Sequence, residues 1–264
     1  MDGNRPEDAL VLRTDSEGVT TLALNRPHQR NALSVALMSA LIERLGEIRQ
    51  DPTCRVVILA GEGPAFCAGH DLKEMRANPD PAFYEALFAQ CSDLMQAIIT
   101  LPQPVIALVH GIATAAGCQL VATCDLAIAA SDTKFATPGV NIGLFCSTPM
   151  VALTRNIGRK AAMEMLLTGE MVDAQTAVEI GLINRAVPPE ALEAEVESLA
   201  RKIAGKSALT VKIGKEAFYR QAEMPLAEAY RYTAGVMAKN MLAADAGEGI
   251  DAFLNKRMPV WRDC

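Results

Sequence analysis

Apolar and polar positions divide the chain into a strand-rich first half and a helical remainder. Apolar stretches at 10–13 and 19–24 flank Ser16-Glu17-Gly18, a turn signal, and read as a hairpin. A polar loop over 25–31 follows, and Ser34 then opens a helix. Leu37, Met38, Leu41, Leu45 and Ile48 recur at helical spacing to about Gln50. Arg55 leads into an apolar strand at 56–60, which Gly61-Glu62-Gly63-Pro64 breaks. Pro81 suits the first turn of a helix that the pattern carries over 83–100. Pro102 and Pro104 stop that helix before the apolar run 105–109. A second apolar run, 125–130, ends in the turn 131–134. From Ser147 the pattern is helical almost to the end, at 150–155, 161–167, 174–180, 192–204, 209–219, 227–243 and 247–254. Strands first, an alternating middle and helices last imply an α/β layered fold with a helical C-terminal region.

Between the runs 105–109 and 125–130 lies a stretch crowded with small residues: Gly111, Ala113, Ala115, Ala116 and Gly117. Small residues after a strand let the backbone turn sharply and approach a ligand closely. A short helix reads from 116 to 123, and a helix start presents unpaired N–H groups with partial positive charge. An enzyme holds a developing oxyanion at such a place. A similar turn, Phe66-Cys67-Ala68-Gly69-His70-Asp71-Leu72-Lys73, follows the strand 56–60. Two strand-to-turn elements can each aim one N–H at the same point.

Composition narrows the classes. The chain has 264 residues, half of them hydrophobic, enough for one large domain or one domain with an appendage. A net charge of −6 without a Lys/Arg run argues against nucleic acid as a partner. No apolar run approaches the roughly 20 residues of a membrane helix. The polar, acidic start at 1–8 resembles neither a secretory signal nor a transit peptide. Seven scattered cysteines, among them Cys54, Cys118 and Cys124 in apolar surroundings, read as reduced thiols of a cytoplasmic protein. Histidines at 28, 70 and 110 are too few and too dispersed for a metal site.

Several motifs together resemble the crotonase superfamily, the enoyl-CoA hydratase/isomerase family. They are Asn25-Arg26-Pro27 with Asn31-Ala32-Leu33, the 66–74 turn, Pro104-Val105-Ile106-Ala107 with Ala116-Gly117-Cys118, and Cys124-Asp125-Leu126-Ala127. Leu167-Thr168-Gly169, the run 177–183 and Phe253-Leu254-Asn255-Lys256-Arg257 continue the likeness to the end. The runs 115–119 and 143–149 are similar to the branch called enoyl-CoA hydratase domain-containing protein 3. The resemblance implies a crotonase-like spiral of ββα turns over 1–200 and a helical trimerisation region over 201–264. It implies trimers or dimers of trimers and an acyl-CoA thioester as ligand, with no cofactor beyond that coenzyme A moiety. By position, the amides of His70 and Ala116 would form an oxyanion hole. His28, Arg30, Ala68 and Lys73 would lie near the nucleotide, and Phe253 and Lys256 would reach a neighbouring subunit's coenzyme A.

The sequence departs from the family at the chemistry. Family hydratases carry two glutamates where this chain has Gln119 and Gly139. Gln119 can hydrogen-bond a water but cannot exchange a proton at working pH, and Gly139 has no side chain. A placed acid or base is worth roughly 10²–10⁴-fold in rate, so ordinary hydration should be very slow. A backbone oxyanion hole survives any side-chain change. One reading is therefore an enzyme that needs enolate stabilisation and little proton relay, such as a malonyl- or methylmalonyl-CoA-type decarboxylase. The Ala68-Gly69-His70-Asp71 turn is similar to the methylmalonyl-CoA decarboxylase of this superfamily, although that relative has a tyrosine at the position of Cys146. A second reading is a non-catalytic acyl-CoA-binding protein. A third is a hydratase or isomerase recruiting another acid, for which His70, Asp71, Glu74 and Cys146 are the candidates. Asp71 also suits the cap of a helix starting at Leu72, and Cys146, with no basic neighbour in sequence, suits an inert thiol.

Overall fold

The computed structural model describes residues 9–264, so the acidic start at 1–8 lies outside the described residues. Strands β1 (Val11–Ser16) and β2 (Val19–Leu24) form the expected antiparallel hairpin. Glu17 (φ 50) and Gly18 (φ 81) both adopt left-handed backbone, the geometry of a tight hairpin turn. β1 runs further than its apolar residues do, because its far end is an exposed edge where Thr14, Asp15 and Ser16 need no burial.

Helix α1 (Val35–Gln50) starts at Ser34, whose hydroxyl accepts from the Leu37 amide and satisfies one orphan donor. β3 (Val56–Gly61) lies parallel to β2. After the 66–73 turn come α2 (Leu72–Ala77) and α3 (Pro81–Ile99), the latter with Pro81 in its first turn. β4 (Val105–Val109), α4 (Ala116–Thr123) and β6 (Leu126–Ala130) bracket the small-residue stretch as expected. Between β4 and α4 runs a short strand, β5 (Ile112–Thr114), which pairs in parallel with β7 (Lys134–Ala136).

The main sheet has the order β1-β2-β3-β4-β6-β9, with β9 at Arg185–Val187. A second sheet has the order β5-β7-β8, with β8 at Val172–Asp173. Each of β4 and β6 therefore hands over, after a short turn, to a strand of the second sheet. In β3, Val57 and Leu59 enter one core with α1 and α3. Val56 and Ile58, on the opposite face, pack under Leu192, Val196 and Ala200 of α8 (Leu192–Ala204). A sheet covered on both faces reads as the continuous apolar runs seen in the sequence.

The strands β8 and β9 lie in the gaps between the short helices expected after Ser147, where no strand was expected. They are too short to show a period of their own and exist by pairing with β7 and β6. Around them lie α5 (Ser147–Asn156), α6 (Arg159–Thr168) and α7 (Ala174–Glu179). The chain closes with α9 (Ala208–Ala222), α10 (Leu226–Met241) and α11 (Ala244–Leu254).

A buried ionic cluster clamps α9 to the spiral. Lys215 Nζ donates to the carbonyls of Ile98 and Gln103, each at 3.0 Å, and to Asp125 Oδ2 at 2.7 Å. Asp125 also accepts from Tyr219 OH at 2.8 Å and from the Val105 amide at 2.7 Å. On or beside α10 and α11, Tyr230, Met237, Met241, Leu242, Phe253 and Leu254 stand exposed. Among the described residues, no helix is long and apolar enough to cross a membrane.

Candidate functional site

The two small-residue turns meet through backbone contacts that only glycine permits. A Cβ on Gly117, in the first turn of α4, would lie 2.1 Å from the Cys67 carbonyl oxygen. Gly69 has φ +94, and a Cβ there would lie 2.9 Å from Ala115 Cβ and 3.3 Å from the Ala116 nitrogen. The turn 66–73 is thereby pressed against the start of α4.

The pairing then sets where the amides point. Residues 33 and 70 form a parallel bridge in which the Leu33 amide donates to the Gly69 carbonyl and the Asp71 amide to the Leu33 carbonyl. In such a bridge the flanking residues supply the hydrogen bonds, so the N–H of His70 faces away from Leu33. Ala115 holds φ 51 and ψ −118, a sparsely populated backbone for a residue with a Cβ. Its amide donates to the Ala136 carbonyl. The next amide, that of Ala116, opens α4 and has no acceptor within the helix. Among the described residues, neither the His70 nor the Ala116 amide has a hydrogen-bond acceptor.

His70 and Ala116 line one cleft of about 460 Å³. Its other walls include Ala68, Leu72, Met75, Phe88, Gly139, Leu144, Phe145 and Cys146, and among the described residues no Asp, Glu, Lys or Arg lines it. Burial pushes the His70 imidazole down to about 4, so the ring is neutral at physiological pH. The ring stands edge-on to Phe88, with centroids 5.4 Å apart.

The other candidates for proton transfer are occupied or disabled. The Asp71 carboxylate caps α2 by accepting from the Lys73 and Glu74 amides, and it pairs with Arg26 at 3.0 Å. Partial burial works against its charge, yet Arg26 and those amides hold the carboxyl below its usual range. Glu74 Oε2 accepts from the Val35 amide at 3.0 Å, at the open end of α1. Burial pushes the Cys146 thiol up, away from the reactive thiolate. At Gly139 a Cβ would lie 2.7 Å from the Leu144 carbonyl oxygen and 2.9 Å from Cys146 Sγ. Gln119, one turn along α4 from Ala116, is buried and does not line the cleft. Its Oε1 is closed off without a partner.

Of the residues expected near a nucleotide, Ala68 lines the cleft and its amide donates to the Arg30 carbonyl at 3.0 Å. His28, Arg30 and Lys73 are exposed and do not line it. Phe253, on α11, borders a separate depression with Lys206, Ile250 and Trp261, and Lys256 is exposed just beyond that helix. Sequence reasoning missed the apolar wall made by Met75, Phe88 and Phe145. Phe88 stands beside Leu87 on α3, off the buried stripe that the helical period picks out. An aromatic flanking a core stripe is the available signal.

A family model for enoyl-CoA hydratase/isomerase matches residues 14–264. The enoyl-CoA hydratase domain-containing protein 3, mitochondrial, of Rattus norvegicus is 44% identical over 98% of this chain and 86% of its own length. The Homo sapiens protein of that name is 46% identical over 97% of this chain and 84% of its own length. An enoyl-CoA hydratase structure from Mycobacterium smegmatis superposes with a TM-score of 0.94 at 56% identity, covering 96% of this chain and 99% of its own. The structure of the human domain-containing protein 3 superposes with a TM-score of 0.92 at 45% identity, covering 96% of this chain and 100% of its own.

Proposed function

The chain belongs to the enoyl-CoA hydratase/isomerase family, and from that premise we propose that it binds an acyl-CoA thioester, with the carbonyl oxygen between the amides of His70 and Ala116, and hydrates double bonds poorly. The observation that carries this reading is the pair of acceptor-free amides on one cleft. Each donor of such a pair is worth roughly 10²–10³-fold where a thioester becomes an enolate. The cleft offers no carboxylate to move the protons of hydration, since Gln119 and Gly139 stand where the family has glutamates, and burial leaves the His70 ring a weak base. Asp71 and Glu74 are committed to helix caps.

In this reading the nucleotide end lies over His28, Arg30, Ala68 and Lys73. The exposed apolar residues of α10 and α11 support a homo-oligomer, a trimer or a dimer of trimers, in which Phe253 and Lys256 reach the neighbour's coenzyme A. No cofactor beyond the coenzyme A moiety enters the scheme. A cytoplasmic compartment agrees with the free buried thiols. The vertebrate relatives carry "mitochondrial" in their names, so cell fractionation decides between the two.

The uncharged cleft favours a second reading, decarboxylation of a malonyl-type thioester. A carboxylate without a cation partner is destabilised there relative to neutral carbon dioxide. The bond from C2 to the carboxyl carbon breaks, carbon dioxide leaves, and the electron pair becomes the enolate that the amides hold. Water then protonates C2. Incubation with crotonyl-CoA, malonyl-CoA and methylmalonyl-CoA, followed by mass spectrometry, tests both readings. Tight binding of crotonyl-CoA with negligible hydration is expected. Loss of carbon dioxide establishes the second reading, binding without turnover leaves a carrier or sensor, and hydration at ordinary enzyme rates overturns the reading of Gln119 and Gly139.

A further inference from the structure

The side chain of His70 has a chemistry separate from that of its amide. The ring lines the cleft, yet its Nε2 is closed off from solvent with no hydrogen-bond partner. The other ring nitrogen, Nδ1, is not closed off and makes no hydrogen bond among the described residues. A neutral imidazole carries one proton, on one of its two nitrogens. Placing it on Nε2 would bury an N–H without an acceptor, at a cost of about 1–3 kcal/mol. Phe88, the ring packed edge-on against the imidazole, offers no oxygen or nitrogen to receive it. A bare lone pair is the smaller loss. The proton therefore belongs on Nδ1, at the open side of the ring.

Nδ1 is tied to the His70 amide nitrogen through only Cα, Cβ and Cγ. His70 gives both its amide and its ring to one cleft, so on the thioester reading the first carbons of an acyl chain whose oxygen the amide holds come within reach of the ring. The rest of the wall is apolar apart from Asn141, Ser147 and Thr148, and among the described residues it carries no charged side chain.

We propose that His70 is a specificity-determining residue whose neutral Nδ1–H donates to an oxygen on C3 of the acyl group, so that the site selects β-oxygenated acyl-CoA thioesters over plain saturated ones. This rests on the thioester reading above and sharpens it. The class includes 3-oxoacyl, 3-hydroxyacyl and malonyl-type groups, whose shared feature is an acceptor oxygen at that carbon.

The test measures the affinities of butyryl-CoA, acetoacetyl-CoA, 3-hydroxybutyryl-CoA and malonyl-CoA by calorimetry, in the full chain and in His70→Phe and His70→Asn. In the unaltered protein acetoacetyl-CoA should bind about fivefold more tightly than butyryl-CoA, the yield of one neutral hydrogen bond. The ratio should fall below about twofold in His70→Phe and recover in His70→Asn, whose side-chain amide restores a donor. Equal affinities in the unaltered protein, or a ratio that persists in His70→Phe, overturn the proposal while leaving the thioester reading intact. Failure of all four to bind overturns the thioester reading and this one with it. Nitrogen NMR of histidine-labelled unaltered protein is a second readout, independent of how the variants fold. A neutral ring protonated on Nδ1 at pH 7 is expected, and a ring protonated on Nε2 overturns the proposal.

Discussion

Two buried polar regions of this molecule are built on opposite principles. In the clamp, Lys215 places all of its ammonium donors on oxygens, and Asp125 answers with both carboxylate oxygens. In the cleft there is no charge, and the amides of His70 and Ala116 have no acceptor among the described residues. Lys215 and Asp125 spend their hydrogen bonds on holding α9 to the spiral, whereas the two cleft amides are left unmatched.

The comparison breaks most visibly if Asp125→Ala is tolerated. Removing the carboxylate strands Lys215, which is 7% exposed. A loss of about 3–5 kcal/mol is expected from a buried pair opened in this way. Denaturant unfolding reads it, and a loss below about 1 kcal/mol would make the clamp ornamental.

A pH titration of stability addresses the other region. The His70 ring has its pKa lowered from 6.5 to about 4 in the folded state, while the unfolded chain keeps the ordinary value. Between those values the unfolded state binds more protons, so stability falls as the pH drops. The contribution is fully present above about pH 6.5 and gone below about pH 4. Its size is on the order of 3 kcal/mol. His70→Phe should flatten that part of the profile, and an unchanged slope contradicts the burial argument.

Gly69→Ala separates architecture from ligand chemistry. Its Cβ meets Ala115 and Thr114 at a positive φ, and strain of about 1–3 kcal/mol is expected. If the amide pair is the thioester site, acyl-CoA affinity should fall at least about tenfold, with the fold still intact by circular dichroism. Retained affinity argues that the carbonyl sits elsewhere. The smallest effect belongs to Lys73→Ala. An exposed contact to a phosphate is worth at most about 1 kcal/mol, so affinity should weaken a few-fold and stability should stay within about 0.5 kcal/mol.

Gly139→Glu is a poor way to restore a hydratase, although the sequence alone suggests it. The new Cβ would meet the Leu144 carbonyl oxygen and Cys146 Sγ before any carboxylate could be placed. The absence of a side chain was legible from the chain; the closure of the space around it was not. The same divide runs through the molecule. The strands read at 19–24 and 56–60 were legible as continuous apolar runs and the helix 192–204 from its helical spacing, because a strand buried on both faces is apolar throughout while a helix buries one stripe. β5, β8 and β9 could not, since strands of two or three residues exist only through distant partners. Small residues in both turns signalled a sharp turn that lets a ligand approach closely; the contacts of Gly69 and Gly117 show the two turns packed tightly on each other. The role of Asp125 as half of a clamp was hidden, because Lys215 lies 90 positions away in sequence.

The contact between Gly117 and the Cys67 carbonyl has one more consequence. Main chain rests there directly on main chain, so the spacing of the two donors is set by peptide geometry and not by any side chain nearby. On the thioester reading, the side chains around the cavity can drift without detuning the amide pair, so a lineage could lose one reaction and acquire another while that pair passes down unaltered.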